Sequence, residues 1–129
     1  MKNLKVLWIE DDPKFPGSII FRIQRQLKSL NVEFQEEILV NGTHVSDTVR
    51  DWKPDLILMD HNLQDVTING ANLIIQIRVH DHTTPIIFYS SEMDQNLIEM
   101  VDGESDVFTS PRGDLADEIL RLIQNKFPS

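Results

Sequence analysis

The sequence contains no cysteine, few cations for its acids, and no apolar run approaching the ~20 residues that a membrane-spanning helix needs. Without cysteine there is no disulfide framework and no thiolate site, which suits the cytosol. The first nine residues are too few and too strand-like for a signal peptide, so a cytoplasmic location with no membrane partner is expected. Lys and Arg number 12 against 21 Asp and Glu, a formal net charge of −9. Such acidity disfavours direct contact with nucleic acid, which depends on neutralising phosphates, and favours metal cations or basic partner surfaces. Repeats, linkers and low-complexity stretches are also missing, so residues 1–129 read as a single domain with one core.

What is present is organised around Pro54-Asp55-Leu56-Ile57-Leu58-Met59-Asp60. A short apolar run bounded by turn signals fits a strand buried on both faces, as in a parallel sheet. Two other runs have the same character: Lys5-Val6-Leu7-Trp8-Ile9, stopped by Glu10-Asp11-Asp12-Pro13, and Pro85-Ile86-Ile87-Phe88-Tyr89, stopped by Ser90-Ser91. Val32 to Val40 reads as a more exposed strand nearer an edge, and Asp106-Val107-Phe108-Thr109 as a short last strand stopped by Ser110-Pro111. Between them lie helical stretches. Pro16-Gly17 opens one, with Ile20, Ile23, Leu27 and Leu30 on its apolar stripe and Asn31 closing it. Residues 44–52 form a second, ending before Pro54; Gly70 opens a third; Glu92 to Val101 and Asp114 to Phe127 supply the last two.

Strand and helix alternate five times, which predicts an α/β domain with helices on both faces of a parallel sheet. Right-handed crossovers make the flavodoxin-like strand order 2-1-3-4-5 the natural choice for five strands. In such a sheet the ligand crevice lies outside the carboxyl ends of the strands. One rim would then display Glu10, Asp11, Asp60, Ser90 and Ser110 together. Carboxylates so gathered repel one another unless a cation is bound, and hard oxygen donors with room for waters suit Mg²⁺ rather than zinc. An Asp beside Mg²⁺ can also act as a nucleophile toward phosphorus.

Trp8 to Pro13, Pro54 to Asp60, Gly70, Pro85 to Ser91 and the proline after the fifth strand, taken in this order, resemble the receiver domain of two-component response regulators. The resemblance implies that Asp60 accepts a phosphoryl group from a histidine kinase or phosphotransfer protein. It implies that Glu10 and Asp11 hold Mg²⁺, with Asp60 and the backbone carbonyl of Asn62 completing the site. Ser90 would hydrogen-bond a phosphoryl oxygen, and the small Ser91 would leave the nucleophile accessible. The resemblance also implies a cis Ser110-Pro111 bond. The protein would be a switch rather than an enzyme, read out by contact with a downstream protein, since no effector domain is expected after residue 129.

Three departures stand against the family pattern. Ser110 occupies the place of the lysine that pairs with the phosphoryl group, Val107 replaces the switch aromatic, and the loop from His61 to Asn69 is about two residues longer. The first removes a point charge next to a dianion. Arg112 and Lys14 are the candidate substitute cations, although either also reads as a solvated residue, Arg112 simply opening the last helix. Bland roles exist elsewhere too: an acidic first turn for Glu10 and Asp11, a helix N-cap for Ser90, a polar turn for His80-Asp81-His82. Strand alternation points His61 away from the Asp60 face. Two other functions compete: a phosphorylation-independent pseudo-receiver that acts by binding, favoured by Ser110, and a Toprim-like metal-dependent nucleic-acid enzyme, disfavoured by Asn62 and the net charge.

Overall fold

The computed structural model describes residues 2–63 and 69–126. Its elements are β1 (Lys2–Ile9), α1 (Lys14–Ser29), β2 (Val32–Leu39), α2 (Val45–Trp52), β3 (Leu56–Asp60), α3 (Gly70–Arg78), β4 (Ile86–Ser90), α4 (Gln95–Val101), β5 (Val107–Pro111), a 3₁₀ turn (Arg112–Asp114) and α5 (Leu115–Lys126). The five strands are all parallel, in the order β2-β1-β3-β4-β5. The expected flavodoxin-like topology is therefore the observed one.

The central strands are apolar on both sides because both sides are covered. Alternation sends Leu4, Val6, Trp8, Leu56, Leu58, Ile87 and Tyr89 toward α1 and α5, and Leu7, Ile9, Ile57, Met59, Ile86 and Phe88 toward α2, α3 and α4. Every residue of β3 and β4 is buried. β2, at the edge, buries little beyond Val32, as its mixed composition predicts. On the helices, Ile19, Ile23 and Leu27 of α1 and Leu115, Ile119, Leu122 and Ile123 of α5 fill one half of the core. Fully burying one such aliphatic side chain contributes about 1.5–3 kcal/mol.

Several boundaries differ from the expectation, each for a local reason. β1 begins at Lys2, whose N–H meets the Asn31 carbonyl as β1 pairs along all of β2. α1 begins at Lys14, before Pro16-Gly17, because proline is tolerated in a first turn where N–H groups lack helical partners anyway. α2 stops at Lys53, which adopts a left-handed conformation (φ 54°) ahead of Pro54. α4 starts at Gln95 rather than Glu92, because the Asp94 side chain accepts the Leu97 N–H as the N-cap. β5 does not stop at Ser110: Pro111 continues it, opposite Ser90. No cis peptide bond occurs among the described residues, so the Ser110-Pro111 bond is trans, contrary to expectation; Pro111 is extended (φ −61°, ψ 148°) and leads directly into the 3₁₀ turn. The centre of the loop from His61 to Asn69, and Phe127, lie outside the described residues.

Candidate functional site at the carboxyl rim

β1 and β3 are neighbours whose connections leave in opposite directions, which opens the crevice of a doubly wound sheet between them. Ile9 pairs with Met59, so Glu10 and Asp60 leave the sheet side by side. Asp60 in turn pairs with Tyr89, which places Ser90 alongside. Glu10, Asp60, Ser90 and Ser110 are all buried, and Asp11 is half-buried. The backbone leaves no slack here: a Cβ on Gly70 would collide with the Asp60 carbonyl oxygen and lie 2.8 Å from His61 Cα. Glycine is thus required where α3 begins, and its N–H donates to the His61 carbonyl at 3.2 Å.

One carboxylate oxygen from each of Glu10, Asp11 and Asp60 lies within 4.8 Å of the others. Such an all-oxygen donor set fits a hard divalent cation such as Mg²⁺. The Asp60 Oδ1 accepts the Asn62 N–H at 3.1 Å, and the Asn62 side-chain amide donates to Ser90 Oγ at 3.1 Å. Burial raises the Asp60 pKa to about 7, helped by the Glu10 charge and more weakly by Asp11, and opposed by the Asn62 hydrogen bond and Arg112. This is a carboxylate held at the edge of losing its charge.

Glu10 is anchored from beneath. Trp8 Nε1 donates to the Tyr89 hydroxyl at 2.9 Å, and that hydroxyl donates to Glu10 Oε1 at 2.8 Å. Glu10 Oε2 accepts the Asp12 N–H at 2.9 Å. Burial, followed by the Glu10 charge, pushes the Tyr89 pKa far up, so the phenol remains a donor. This buried chain was not foreseen, because Trp8 and Tyr89 read as core residues of two separate strands.

Arg112 brings a cation to the same carboxylates. Its Nη1 lies 2.9 Å from Glu10 Oε1 and 3.4 Å from Asp60 Oδ2. Its guanidinium carbon lies 3.8 Å from the centroid of the Phe15 ring and 5.8 Å from that of Tyr89. Burial works against the charge, but the Glu10 hydrogen bond and the fields of Glu10 and Asp60 raise the Arg112 pKa overall. Lys14, the other candidate, stays exposed and makes no side-chain ion pair among the described residues. Ser110, opposite Tyr89 in the sheet, donates only to the carbonyl of Pro111, at 2.8 Å.

The remaining candidates separate cleanly. His61 packs edge-on to Phe88 with its ring centroid 5.5 Å away, on the face away from the α1 side, and burial lowers its pKa. Its buried Nδ1 has no hydrogen-bond partner among the described residues. Asp81 accepts from the N–H groups of Thr83 and Thr84 and from the Thr84 hydroxyl, so the His80-Asp81-His82 segment is a closed polar turn. Ser90 does not cap α4, which Asp94 does.

Fold and rim together define an open α/β domain with an acidic, oxygen-lined pocket at its switch point. The family model of the response regulator receiver domain matches residues 6–109, and the chain belongs to that family. It is thus the receiver domain of a two-component response regulator, a signalling domain. Among solved structures it resembles the Francisella response regulator 1452 receiver domain, at 21% identity and TM-score 0.74, over 95% of each chain. It also resembles the Vibrio cholerae chemotaxis protein CheY4, at 15% identity and TM-score 0.75, over 95% of this chain and 97% of that one. At these identities the likeness concerns the fold. No curated protein matches the chain.

Proposed function

We propose that this receiver is a phosphoacceptor switch in which Asp60 is the nucleophile. The observation that carries the reading is the buried Asp60 carboxylate, at a strand's carboxyl end, within 4.8 Å of oxygens of Glu10 and Asp11. An Asp60 carboxylate oxygen attacks the phosphorus of a phosphohistidine on a histidine kinase or phosphotransfer protein. The P–N bond breaks, its electron pair stays with the imidazole nitrogen, and an acyl phosphate forms on Asp60. Mg²⁺, bound through Glu10, Asp11, Asp60 and the Asn62 carbonyl, would supply charge neutralisation for the phosphoryl oxygens. Ser90 Oγ and the Asn62 amide, already joined at 3.1 Å, offer hydrogen bonds to those oxygens, and Arg112 supplies the cation that Ser110 does not.

For the partner, α1 offers a surface beside the rim. Residues 14–32 include Lys14, Arg22, Arg25 and Lys28 and no acid, within a chain of net charge −9. Phe21 projects from the same helix, 80% exposed. A partner that is acidic and presents an apolar pocket fits this face.

The test is labelling with a small phosphodonor in Mg²⁺. The expected product is a single hydroxylamine-labile phosphate on Asp60, absent from Asp60→Asn. The competing reading, a binding module that works without phosphorylation, draws on Ser110 and Val107. It would be supported by an unlabelled wild-type protein that nevertheless binds its partner.

A further inference from the structure

Both oxygens of Glu10 are already engaged. Oε1 accepts from the Tyr89 hydroxyl at 2.8 Å and faces Arg112 Nη1 at 2.9 Å, and Oε2 accepts the Asp12 N–H at 2.9 Å. Asp60 is divided between the Asn62 N–H on one oxygen and Arg112 on the other. Asp11 alone of the three carboxylates carries no hydrogen bond or ion pair among the described residues. The guanidinium has a second hold that needs no carboxylate: its carbon lies over the Phe15 ring, 3.8 Å from the centroid, with Tyr89 5.8 Å from both the Phe15 ring and the guanidinium carbon. Stacking on an aromatic face suits arginine and not lysine, because the guanidinium is planar and weakly hydrated.

We infer that Arg112 is a resident counter-cation that competes with a divalent ion for the Glu10 and Asp60 carboxylates, and that Phe15 keeps it beside the pocket once it is displaced. In the resting chain one positive charge already answers these two buried carboxylates, so a divalent ion gains less from them than it would from a bare pair. Released from Asp60, the stacked guanidinium stays within the same pocket with its donors free. It is then placed for the oxygens of a phosphoryl group, the partners its fork geometry favours. One residue therefore opposes metal binding and supports the phosphorylated state. The second half of this statement rests on the phosphoacceptor reading; the first does not.

The chain contains its own reporter, since Trp8 Nε1 is bonded to the Tyr89 hydroxyl that holds Glu10. Trp52 is the other tryptophan, and a Trp52→Phe background isolates the Trp8 emission. In a Mg²⁺ titration of the full chain, Arg112→Gln is expected to bind the ion about tenfold more tightly, the effect of removing one nearby like charge at an intermediate effective dielectric. Phe15→Leu, which loosens the cradle but keeps the charge, is expected to tighten Mg²⁺ about two- to threefold, as loss of a cation–π contact would. In saturating Mg²⁺, beryllofluoride, standing in for the phosphoryl group, is expected to bind Arg112→Gln about tenfold more weakly. Unchanged or weaker Mg²⁺ binding by Arg112→Gln overturns the competition, and tighter beryllofluoride binding overturns the phosphoryl role. Should Arg112→Gln not fold, judged by circular dichroism, Phe15→Leu decides: Mg²⁺ affinity equal to or below the parent overturns the inference. An unlabelled Asp60 in the wild-type chain would sink the phosphoacceptor reading while leaving the Mg²⁺ result standing.

Discussion

The two rims of the sheet each hold an arginine against acidic chain, and they use it in opposite ways. At the amino-end rim Arg78, only 3% exposed, gives its donors to backbone carbonyls of Ser105, Asp81, Thr84 and Asp106 at 2.6–3.4 Å. It stitches the turn before β4 to the turn before β5. At the carboxyl rim Arg112, with a quarter of its side chain exposed, faces two carboxylates that it only partly satisfies. The pKa shifts record the difference. Asp81, saturated by threonine donors, is lowered despite burial, whereas Asp60 is raised to about 7 chiefly by burial. A clamp whose acceptors are satisfied holds a loop; one that leaves a buried charge underpaired stores strain of the kind that ligands relieve.

The comparison can be broken most forcefully at Arg78. Arg78→Leu should destabilise the chain by about 3 kcal/mol or more, since several inward-facing carbonyls lose their partners at once. Denaturant unfolding measures this, and a cost as small as that of an exposed arginine would refute the clamp. Gly70→Ala should come next, at about 1–3 kcal/mol, because its Cβ meets backbone rather than a flexible side chain. It should also displace Asp60, so phosphoacceptor labelling ought to drop beyond what the stability loss explains.

Asp60→Asn should move the other way. With a folded pKa near 7 against an ordinary 3.8, Asp60 binds more protons folded than unfolded between about pH 4 and 7. Stability therefore falls as pH rises through that window, and in a chelator at neutral pH Asp60→Asn should be more stable by about 1–3 kcal/mol. The gap should close as the pH approaches 4; a gap independent of pH would contradict the strain. Asp81→Asn has the smallest expected effect and the reverse sign. Its lowered pKa contributes stability above about pH 4 that is lost as pH falls through the folded pKa. The substitution should cost roughly 1 kcal/mol at neutral pH, because an amide oxygen in the Oδ1 place still accepts the Thr83 and Thr84 N–H groups and only the Thr84 hydroxyl loses its acceptor, and the cost should shrink in acid.

How much of this was visible in the sequence follows from how local each cause is. Leu56 to Met59 and Ile86 to Tyr89 were readable as buried strands because a strand covered on both faces has to be apolar at every position. Parallel order then brings the residues at their ends to one rim, so Glu10, Asp11, Asp60 and Ser90 could be grouped without coordinates. The start of α4 was misplaced because Asp94 outcompetes the earlier residues as cap. The cis Ser110-Pro111 bond was an implication of the family resemblance, not of the residues themselves, and the bond is trans, with Pro111 continuing the strand opposite Ser90.

The sequence by itself determined the fold, the acidic rim and the missing strand-five lysine, since these depend on residue type and on periodicities that a chain carries along its length. Which cation reaches that rim depends on tertiary packing. Arg112 and Lys14 are equal claimants on paper, both cations a few residues from a strand end. A 3₁₀ turn after Pro111 and a ring at Phe15, nearly a hundred positions away, bring one guanidinium onto Glu10 and Asp60 and leave the other cation in solvent. The same holds for Trp8, Tyr89 and Glu10, and for Arg78 with its carbonyls. A long side chain reaches several places with little difference in intrinsic energy, so its partner is chosen by whatever packing delivers to its tip.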